Sequence, residues 1–532
     1  VVIMTTLSLL VGRATNHQAA GCTAAKVALP VRSVATRPIG VIISYTERGK
    51  PLRVLVDTAS DVTMMSPTAV DELMKSTKLR NSVPIQGLGA QEPDTEVVAS
   101  VVWQHGMKPK PVRCLVVQLP PGIDLLMGVG LQDDLQTVVD RPNSRVRFGK
   151  DRVVAPLMTI SEATRNLDAK PISVVAACSG ASFGYGALRN LGIRVHTWVA
   201  IENDTTARQI ARTLVPPEAL KEHENMLSLP AALSREKHDL YLDTCPCQPW
   251  SRLNKDCIGF RDTRARPMKA SMALYASLKK ANPNIKLFAE NVTPHHHLAN
   301  DAAVMAKGWG VKPQLLNARD CGSASSRPRN IFTDVVDISK LTKIQPAPAQ
   351  WALGDDFYCS KPTLECVVAS LQTFNPPMKI EASTGKETRL TPDDADAAQG
   401  WPPGISDGQP QQPLGLPTET RTKIMGNAIN ASMMYHVFRS FHEKKRKVVS
   451  MPATTTEEGV PDIDQYRTAQ QLQDFLATLS DEEMGAWMQR RMGDWKLPKM
   501  HLKVKAGQQP MPKVKKGYDV PAGLRRSAEH DL

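Results

Sequence analysis

Cys247 sits in the stretch Asp243-Thr244-Cys245-Pro246-Cys247-Gln248-Pro249-Trp250-Ser251, directly after the apolar run Leu240-Tyr241-Leu242. A cysteine that follows a proline, in a tight loop at the carboxyl end of a strand, is well placed to act as a nucleophile. The proline fixes the local backbone, and the loop exposes the sulfur. Such a thiol needs a lowered pKa or a nearby base, because little of it is thiolate at neutral pH. By themselves the same residues read equally as a buried structural cysteine, or as one arm of a Cys-x-Cys metal site with Cys257. A second chemical group is Glu290, in Glu290-Asn291-Val292 after the run Ile285–Ala289. A carboxylic acid closing a buried strand is costly unless it has a partner or a task. Arg327 and Arg329 flank Pro328 just before another apolar run. His295-His296-His297 follows Glu290 closely. Three consecutive histidines cannot all face one metal from a regular element, so they read as surface or nucleic-acid-proximal residues, and no metal is expected.

The elements that must position these groups alternate between strand and helix. Pro171–Ala177 reads as a buried parallel strand. It runs into Cys178-Ser179-Gly180-Ala181-Ser182-Phe183-Gly184 and a helix from Tyr185 to Asn190. A strand, a glycine turn and a helix start make a nucleotide-type site, because glycine lets a ligand approach the backbone. The next strand, Val195–Ile201, ends at Glu202, where an acid can accept hydrogen bonds from ribose hydroxyls. A helix over 205–214, the strand before Cys247, a helix over 269–280 and strands at 285–289 and 311–316 complete an α/β pattern. Upstream the pattern differs. Short β-rich runs at 40–45, 52–56, 97–103 and 112–118, separated by turn residues, predict a small all-β domain.

The chain has 532 residues, room for several domains, and 42% hydrophobic residues, normal for globular cores. Its 66 basic and 53 acidic residues leave a net charge of +13, which suits a polyanionic partner. Nine cysteines at irregular spacing argue against a disulfide framework and for a reducing compartment. The apolar segment 3–11 is too short to span a bilayer, so no membrane partner is expected. Arg252 to Arg266 forms a basic loop in which Lys255, Arg261, Arg264 and Arg266 suit phosphate contacts.

Taken in order, the glycine turn, Glu202, Pro246-Cys247, Glu290-Asn291-Val292, Arg327-Pro328-Arg329 and Met425-Gly426-Asn427-Ala428 resemble the cytosine-5 DNA methyltransferases over roughly residues 171–442. The resemblance implies S-adenosylmethionine as cofactor, held by Cys178, Ser179, Gly180, Gly184, Glu202, Asn203, Asn225, Pro246, Asn427 and Ala428. It makes Cys247 the nucleophile and has Glu290 hold and protonate cytosine N3. Arg327 and Arg329 orient the loop and grip cytosine O2. The implied substrate is DNA, although charge alone does not separate DNA from RNA. Asn225 stands where the family often has aspartate, Ser325 where it has glutamine, and Cys245 where it has a small residue or proline.

Leu55-Val56-Asp57-Thr58-Ala59-Ser60, with the later Leu125-Leu126-Met127-Gly128 and the strand Arg145–Gly149, resembles the retropepsin family of aspartic proteases. Gly87-Leu88-Gly89 falls at the flap or its base. That chemistry needs two carboxylates sharing one proton. One motif supplies one carboxylate, so the resemblance implies a homodimer with Asp57 from each copy. Ala59 stands where the family more often has glycine.

The expected architecture is multidomain: an all-β retropepsin-like barrel, then an α/β Rossmann-like methyltransferase fold with a short target-recognition region. The expected bounds are a lead-in at 1–37, the protease-like domain at 38–149 and a linker with a short helix at 150–170. The catalytic core follows at 171–332, the target-recognition region at 333–388 and the rest of the core at 389–442. A basic tail at 443–532 holds one amphipathic helix, 465–492. The combination, with a chain beginning at Val1, reads as a segment of a retrotransposon polyprotein. The run His442–Lys447 fits a nuclear location.

Overall fold

A computed structural model describes residues 40–56, 62–74, 96–119, 121–254, 256–367 and 378–443. Asp57, Ala59, Gly87-Leu88-Gly89, Lys255, the lead-in 1–37 and the helix expected at 465–492 lie outside the described residues.

The β-rich runs of the first part form β1 (Gly40–Thr46), β2 (Pro51–Val56), β3 (Met64–Met65), β4 (Glu96–Val102), β5 (Lys110–Val116) and β6 (Leu125–Met127). They hydrogen-bond in the order β1-β2-β6-β3-β5-β4. Tyr45 and Thr46 of β1 pair back with Val102 and Val101 of β4. The sheet therefore closes into a barrel and loses its free edges. Two short helices, α1 (Pro67–Met74) and α2 (Val129–Asp134), interrupt the strands. Next, β7 (Thr137–Asp140), β8 (Arg145–Phe148) and β9 (Val153–Pro156) form an antiparallel sheet.

Residues 150–170 are thus built into the fold, where a linker with a short helix was expected. Val153 and Ala155 of β9 are buried against the barrel core, and β10 (Met158–Thr159) adds to the outer side of β1. A linker would leave those apolar side chains in water. Only the helix of that expectation stands, as α3 (Ile160–Asp168), which opens with a reciprocal cap between Thr159 and Glu162.

The second sheet contains β11 (Ile172–Ala177), β12 (Val195–Ile201), β13 (Leu220–His223), β14 (Leu240–Asp243), β15 (Lys286–Asn291), β16 (Gln314–Asn317) and β17 (Pro328–Thr333). Their order is β13-β12-β11-β14-β15-β17-β16. The first five run parallel, and β17 runs antiparallel to both of its neighbours. Strand β16 begins at Gln314, later than the expected 311, because Pro313 has no N–H to give a ladder. Helices α4 (Phe183–Asn190), α5 (Thr205–Leu214), α6 (Arg266–Ala281) and α7 (Ala299–Trp309) make the crossovers. Both faces are covered, which is why the strands read as continuous apolar runs. Along β11, Val174 and Ala176 enter one core while Val175 and Ala177 enter the other. The chain leaves β11 to one side for β12 and returns to its other side as β14. That reversal opens a crevice at the carboxyl ends of β11 and β14.

Beyond β17, the stretch expected to read the target carries 3-10 turns and a small sheet of β18 (Phe357–Tyr358), β19 (Met378–Glu381) and β20 (Glu387–Arg389). Three helices then return to the main sheet: α8 (Pro392–Ala398), α9 (Thr418–Asn427) and α10 (Ala431–Phe438). Phe438 of α10 packs on Phe288 of β15 with ring centroids 5.4 Å apart.

The barrel and the α/β domain share a core. All seven residues of β1 are buried. Ile42 points into the barrel with Leu52 and Val54, whereas Val41, Ile43 and Tyr45 join Ala187, Leu188 and Leu191 of the α/β domain. A strand's period of two puts these sets on opposite faces. At the same seam, His105 packs so close to α4 that a Cβ on Gly186 would lie 2.6 Å from its ring, which accounts for a glycine inside a helix. The His105 backbone N–H donates to Asn190 Oδ1 (2.9 Å), and Asn190 Nδ2 donates to the Tyr435 hydroxyl (2.9 Å). Further along, Arg145 donates to the carbonyls of Gly322 and Gln345 (2.9 and 2.8 Å) and lies over the Trp351 ring.

Candidate active site

Strand β14 ends at Asp243, which is fully buried. Its Oδ1 accepts from the Cys245 N–H (2.9 Å), and its other oxygen accepts from the Ser271 hydroxyl on α6. Burial pushes the Asp243 pKa up to about 6, against the pull of those two hydrogen bonds. Thr244 Oγ1 donates to the Cys178 carbonyl (2.8 Å), and Asn291 Nδ2 donates to the Cys245 carbonyl (3.2 Å). The turn before Cys247 is therefore tied to the ends of both neighbouring strands. After Cys247 the loop folds back on itself. Trp250 N–H donates to the Cys247 carbonyl (3.0 Å), and the Trp250 indole donates to Asp301 (2.8 Å). Gly259 closes the loop at φ +59°, where a Cβ would lie 1.9 Å from the Asp301 carboxylate. Only glycine fits there. Neither Asp243 nor Ser271 belongs to a motif that the sequence marks as functional. The available signal for Asp243 was a charged residue closing an apolar run.

Cys247 is half-buried. Burial pushes its thiol up; Arg329 pulls it down, Glu290 pushes it up and Arg327 pulls it down. Arg329 Nε lies 2.6 Å from Glu290 Oε1, and Arg327 Nε lies 3.9 Å from it. Burial is the largest influence on Arg329 and works against its charge, but Glu290, with Cys366 and Cys247, together outweigh it and hold the guanidinium above its ordinary range. Arg327 has different partners, donating to the carbonyls of Gly426 (3.2 Å) and Val367 (3.3 Å). It ties β17 to the end of α9. Ser325 Oγ donates to the Ala398 carbonyl (2.8 Å), so this position anchors α8.

Cys245 lies 2.6 Å, sulfur to sulfur, from Cys178 at the end of β11. It is buried, and burial pushes its thiol well up. Cys257 packs instead beside His297. The alternative of a Cys-x-Cys metal site with Cys257 is therefore set aside.

The crevice between β11 and β14 opens into a cavity of about 310 Å³. Cys178, Ser179, Gly180, Gly184, Glu202, Asn203, Asn225, Pro246, Asn427 and Ala428 all line it. So do Cys247, Glu290, Arg327 and Arg329. Glu202 braces the first turn, accepting from the N–H groups of Gly180 (2.8 Å) and Asp204 (2.9 Å). Cys178 and Ser182 hold left-handed backbone (φ +50° and +60°), a conformation costing non-glycine residues about 1–3 kcal/mol and concentrated at functional sites. Asn225 Oδ1 accepts from the Leu227 N–H (2.9 Å), and Lys423 pairs with Asp204 (3.0 Å).

These strands, this loop and this cavity agree with the family models that match the chain. Residues 170–346 match that of the C-5 cytosine-specific DNA methylases, and residues 43–131 match an aspartyl protease model. The chain carries an aspartyl-protease domain followed by a C-5 cytosine methylase domain. No curated protein matches it. Among solved structures it is similar to the Entamoeba histolytica methyltransferase EhMeth (16% identity, TM-score 0.38, covering 51% of this chain and 98% of that one). It is also similar to a Spodoptera frugiperda DNMT2 mutant (14% identity, TM-score 0.38, covering 51% and 100%). The retroviral protease-like domain of Ddi1 from Leishmania major is similar at 17% identity and TM-score 0.20, covering 23% and 96%.

The methyl donor of C-5 cytosine methylases is S-adenosylmethionine, and the methylase cavity fits it. The Ser179 hydroxyl is buried there with no hydrogen-bond partner among the described residues. Asn427 and Ala428 enter the cavity from beyond the matched segment. Around the methylase loop, Arg252, Arg261 and Arg266 are exposed, with Leu253 68% and Ile258 44% exposed. Arg264, expected to face phosphate, is forked onto Asp262 (2.6 Å). No helix among the described residues is long and apolar enough to cross a membrane.

Proposed function

We propose that the methylase domain transfers a methyl group to C5 of a cytosine in DNA through a covalent adduct on Cys247. The observation that carries this reading is one cavity lined both by the cofactor turn and by Cys247, Glu290 and Arg329. The target cytosine must leave the stack, since its C5 and C6 are out of reach inside a duplex. The exposed cations and apolar tips of the loop suit phosphate contact and a base held out of the stack. The Cys247 thiolate adds to C6. Glu290 hydrogen-bonds or protonates N3, and Arg329 faces O2, so the charge that develops in the ring is offset. The bond to C6 makes C5 electron-rich. S-adenosylmethionine, when bound, supplies an electrophilic methyl group. Loss of the C5 proton to solvent, with any N3 proton returned to Glu290, then expels the Cys247 thiolate and restores the ring. Glu202 and Asn225 retain lone pairs for ribose hydroxyls and the adenine amine. The test is transfer of labelled methyl to DNA and, in parallel, to RNA. Wild type should label DNA, and Cys247→Ser should not, while still binding the cofactor. A well-folded wild type that labels neither would sink the proposal, and one that labels RNA alone would move it to that substrate.

A further inference from the structure

His295, His296 and His297 lie just beyond β15, on a 3-10 turn over His296–Leu298. A regular element would fan three consecutive side chains apart. The turn instead gathers them, and one ligand nitrogen from each lies within 4.8 Å of the others. His295 Nδ1 and His297 Nδ1 are 2.7 Å apart. The opposite nitrogen of His297, Nε2, meets the Cys257 carbonyl at 3.0 Å. A carbonyl accepts only, so in the neutral ring Nε2 carries the hydrogen and the Nδ1 lone pair accepts from His295 Nδ1–H, a hydrogen that moves to His295 Nε2 when both Nδ1 atoms face one ion. A carbonyl holding the far nitrogen is the usual support of a metal-ligating imidazole.

We propose that His295, His296 and His297 bind one borderline divalent transition ion of the Zn²⁺ class. Three imidazoles with no carboxylate among them suit Zn²⁺, Ni²⁺ or Cu²⁺, not the oxygen-seeking Mg²⁺ or Ca²⁺. Tetrahedral Zn–N bonds of about 2.0–2.1 Å set nitrogens roughly 3.3 Å apart, so the close pair opens by well under about 1 Å and the wider spacing, up to 4.8 Å, closes by up to about 1.5 Å as the imidazoles turn. The site adjoins the support of the Cys247 loop. The His295 N–H donates to the Trp250 carbonyl (3.3 Å), and Leu298 packs with Trp250 and Cys257 in one core. The ion is a clamp on that support and has no part in methyl transfer.

The test uses the full chain stripped with chelator and titrated with Zn²⁺ against a fluorescent zinc indicator. Wild type should hold one more ion than His295→Ala/His297→Ala, with that site's affinity at least about tenfold weaker in the double variant. His296→Ala, a change at an exposed position, should weaken it too, and both should keep the wild-type circular dichroism. Cys257→Ser should leave the affinity unchanged, and Co²⁺ in the wild type should show no thiolate charge-transfer band. Equal stoichiometry and affinity in wild type and the double variant would overturn the site and leave a plain histidine–histidine hydrogen bond. A thiolate band lost in Cys257→Ser would overturn the all-histidine ligand set.

Discussion

Cys247 has opposing neighbours. Its burial and Glu290 disfavour the thiolate, while Arg329 and Arg327 favour it. Burial is the largest of these, so the free enzyme holds mostly thiol at neutral pH. Alkylation of Cys247 by iodoacetamide should therefore climb about tenfold per pH unit from pH 7 and show no plateau below pH 9. Arg329→Gln should slow it at every pH in that range, because the strongest stabiliser of the thiolate is gone. Peptide-level mass spectrometry of the Cys247 peptide reads both effects, and a plateau below pH 9 would contradict the dominance of burial. At this scale the sequence was informative about residue type. Cys247 and Glu290 stand out by loop and strand end, Arg329 by the resemblance to the methyltransferases, and all three line one cavity. The partition between the arginines was not legible: Arg329 lies against Glu290, whereas Arg327 is spent on the carbonyls of Gly426 and Val367. Those carbonyls belong to segments distant in sequence, and no local pattern signals them.

The strand ends are the elements that aim these groups. Asp243 closes β14 and holds the turn through Cys245 N–H and Ser271. Its pKa is about 6 in the fold, above its ordinary value of 3.8. The folded protein thus binds a proton more tightly than the unfolded chain. This contribution to stability is full below about pH 3.8 and is lost as pH rises through about 6. The loss is on the order of 3 kcal/mol. Asp243→Asn keeps an acceptor for the Cys245 N–H and cannot ionise. Denaturant unfolding of wild type and variant at pH 4.5 and 7 should show the variant losing less stability over that interval. Parallel behaviour of the two proteins would mean that Asp243 is not proton-linked. The β elements and crossover helices were largely readable, because apolar periodicity is a local property. Residues 150–170 were misread because β9 and β10 are short and find their partners in β8 and β1, at a range that periodicity does not report.

The two domains are held by a shared core, not a tether. His105, from the barrel, is buried against α4 of the methylase domain, and burial, then the charge of Arg189, brings its pKa down to about 3. The folded protein keeps this imidazole neutral. Its contribution is present above about pH 6.5 and is lost as pH falls towards 3. Between pH 6.5 and 5 the loss is about 2 kcal/mol. His436 on α10, brought down to about 4 by burial, adds a loss of the same sign. His105→Leu should reduce the wild-type fall in unfolding midpoint over this range. An unchanged slope would show that the seam does not sense acid.

The amino-acid sequence alone determined the chemistry on offer and the types of element that bear it. Turn residues, apolar runs and strand-end acids act through neighbours a few positions away, so one dimension is enough to read them. The tertiary structure decided which groups meet. It assigned Arg329 to Glu290 and Arg327 to the backbone, packed Cys245 against Cys178 and gathered three adjacent histidines on a turn. It also buried both faces of β1, one in each domain. Each of these depends on burial and on partners far along the chain, and those exist only once the sheets have closed.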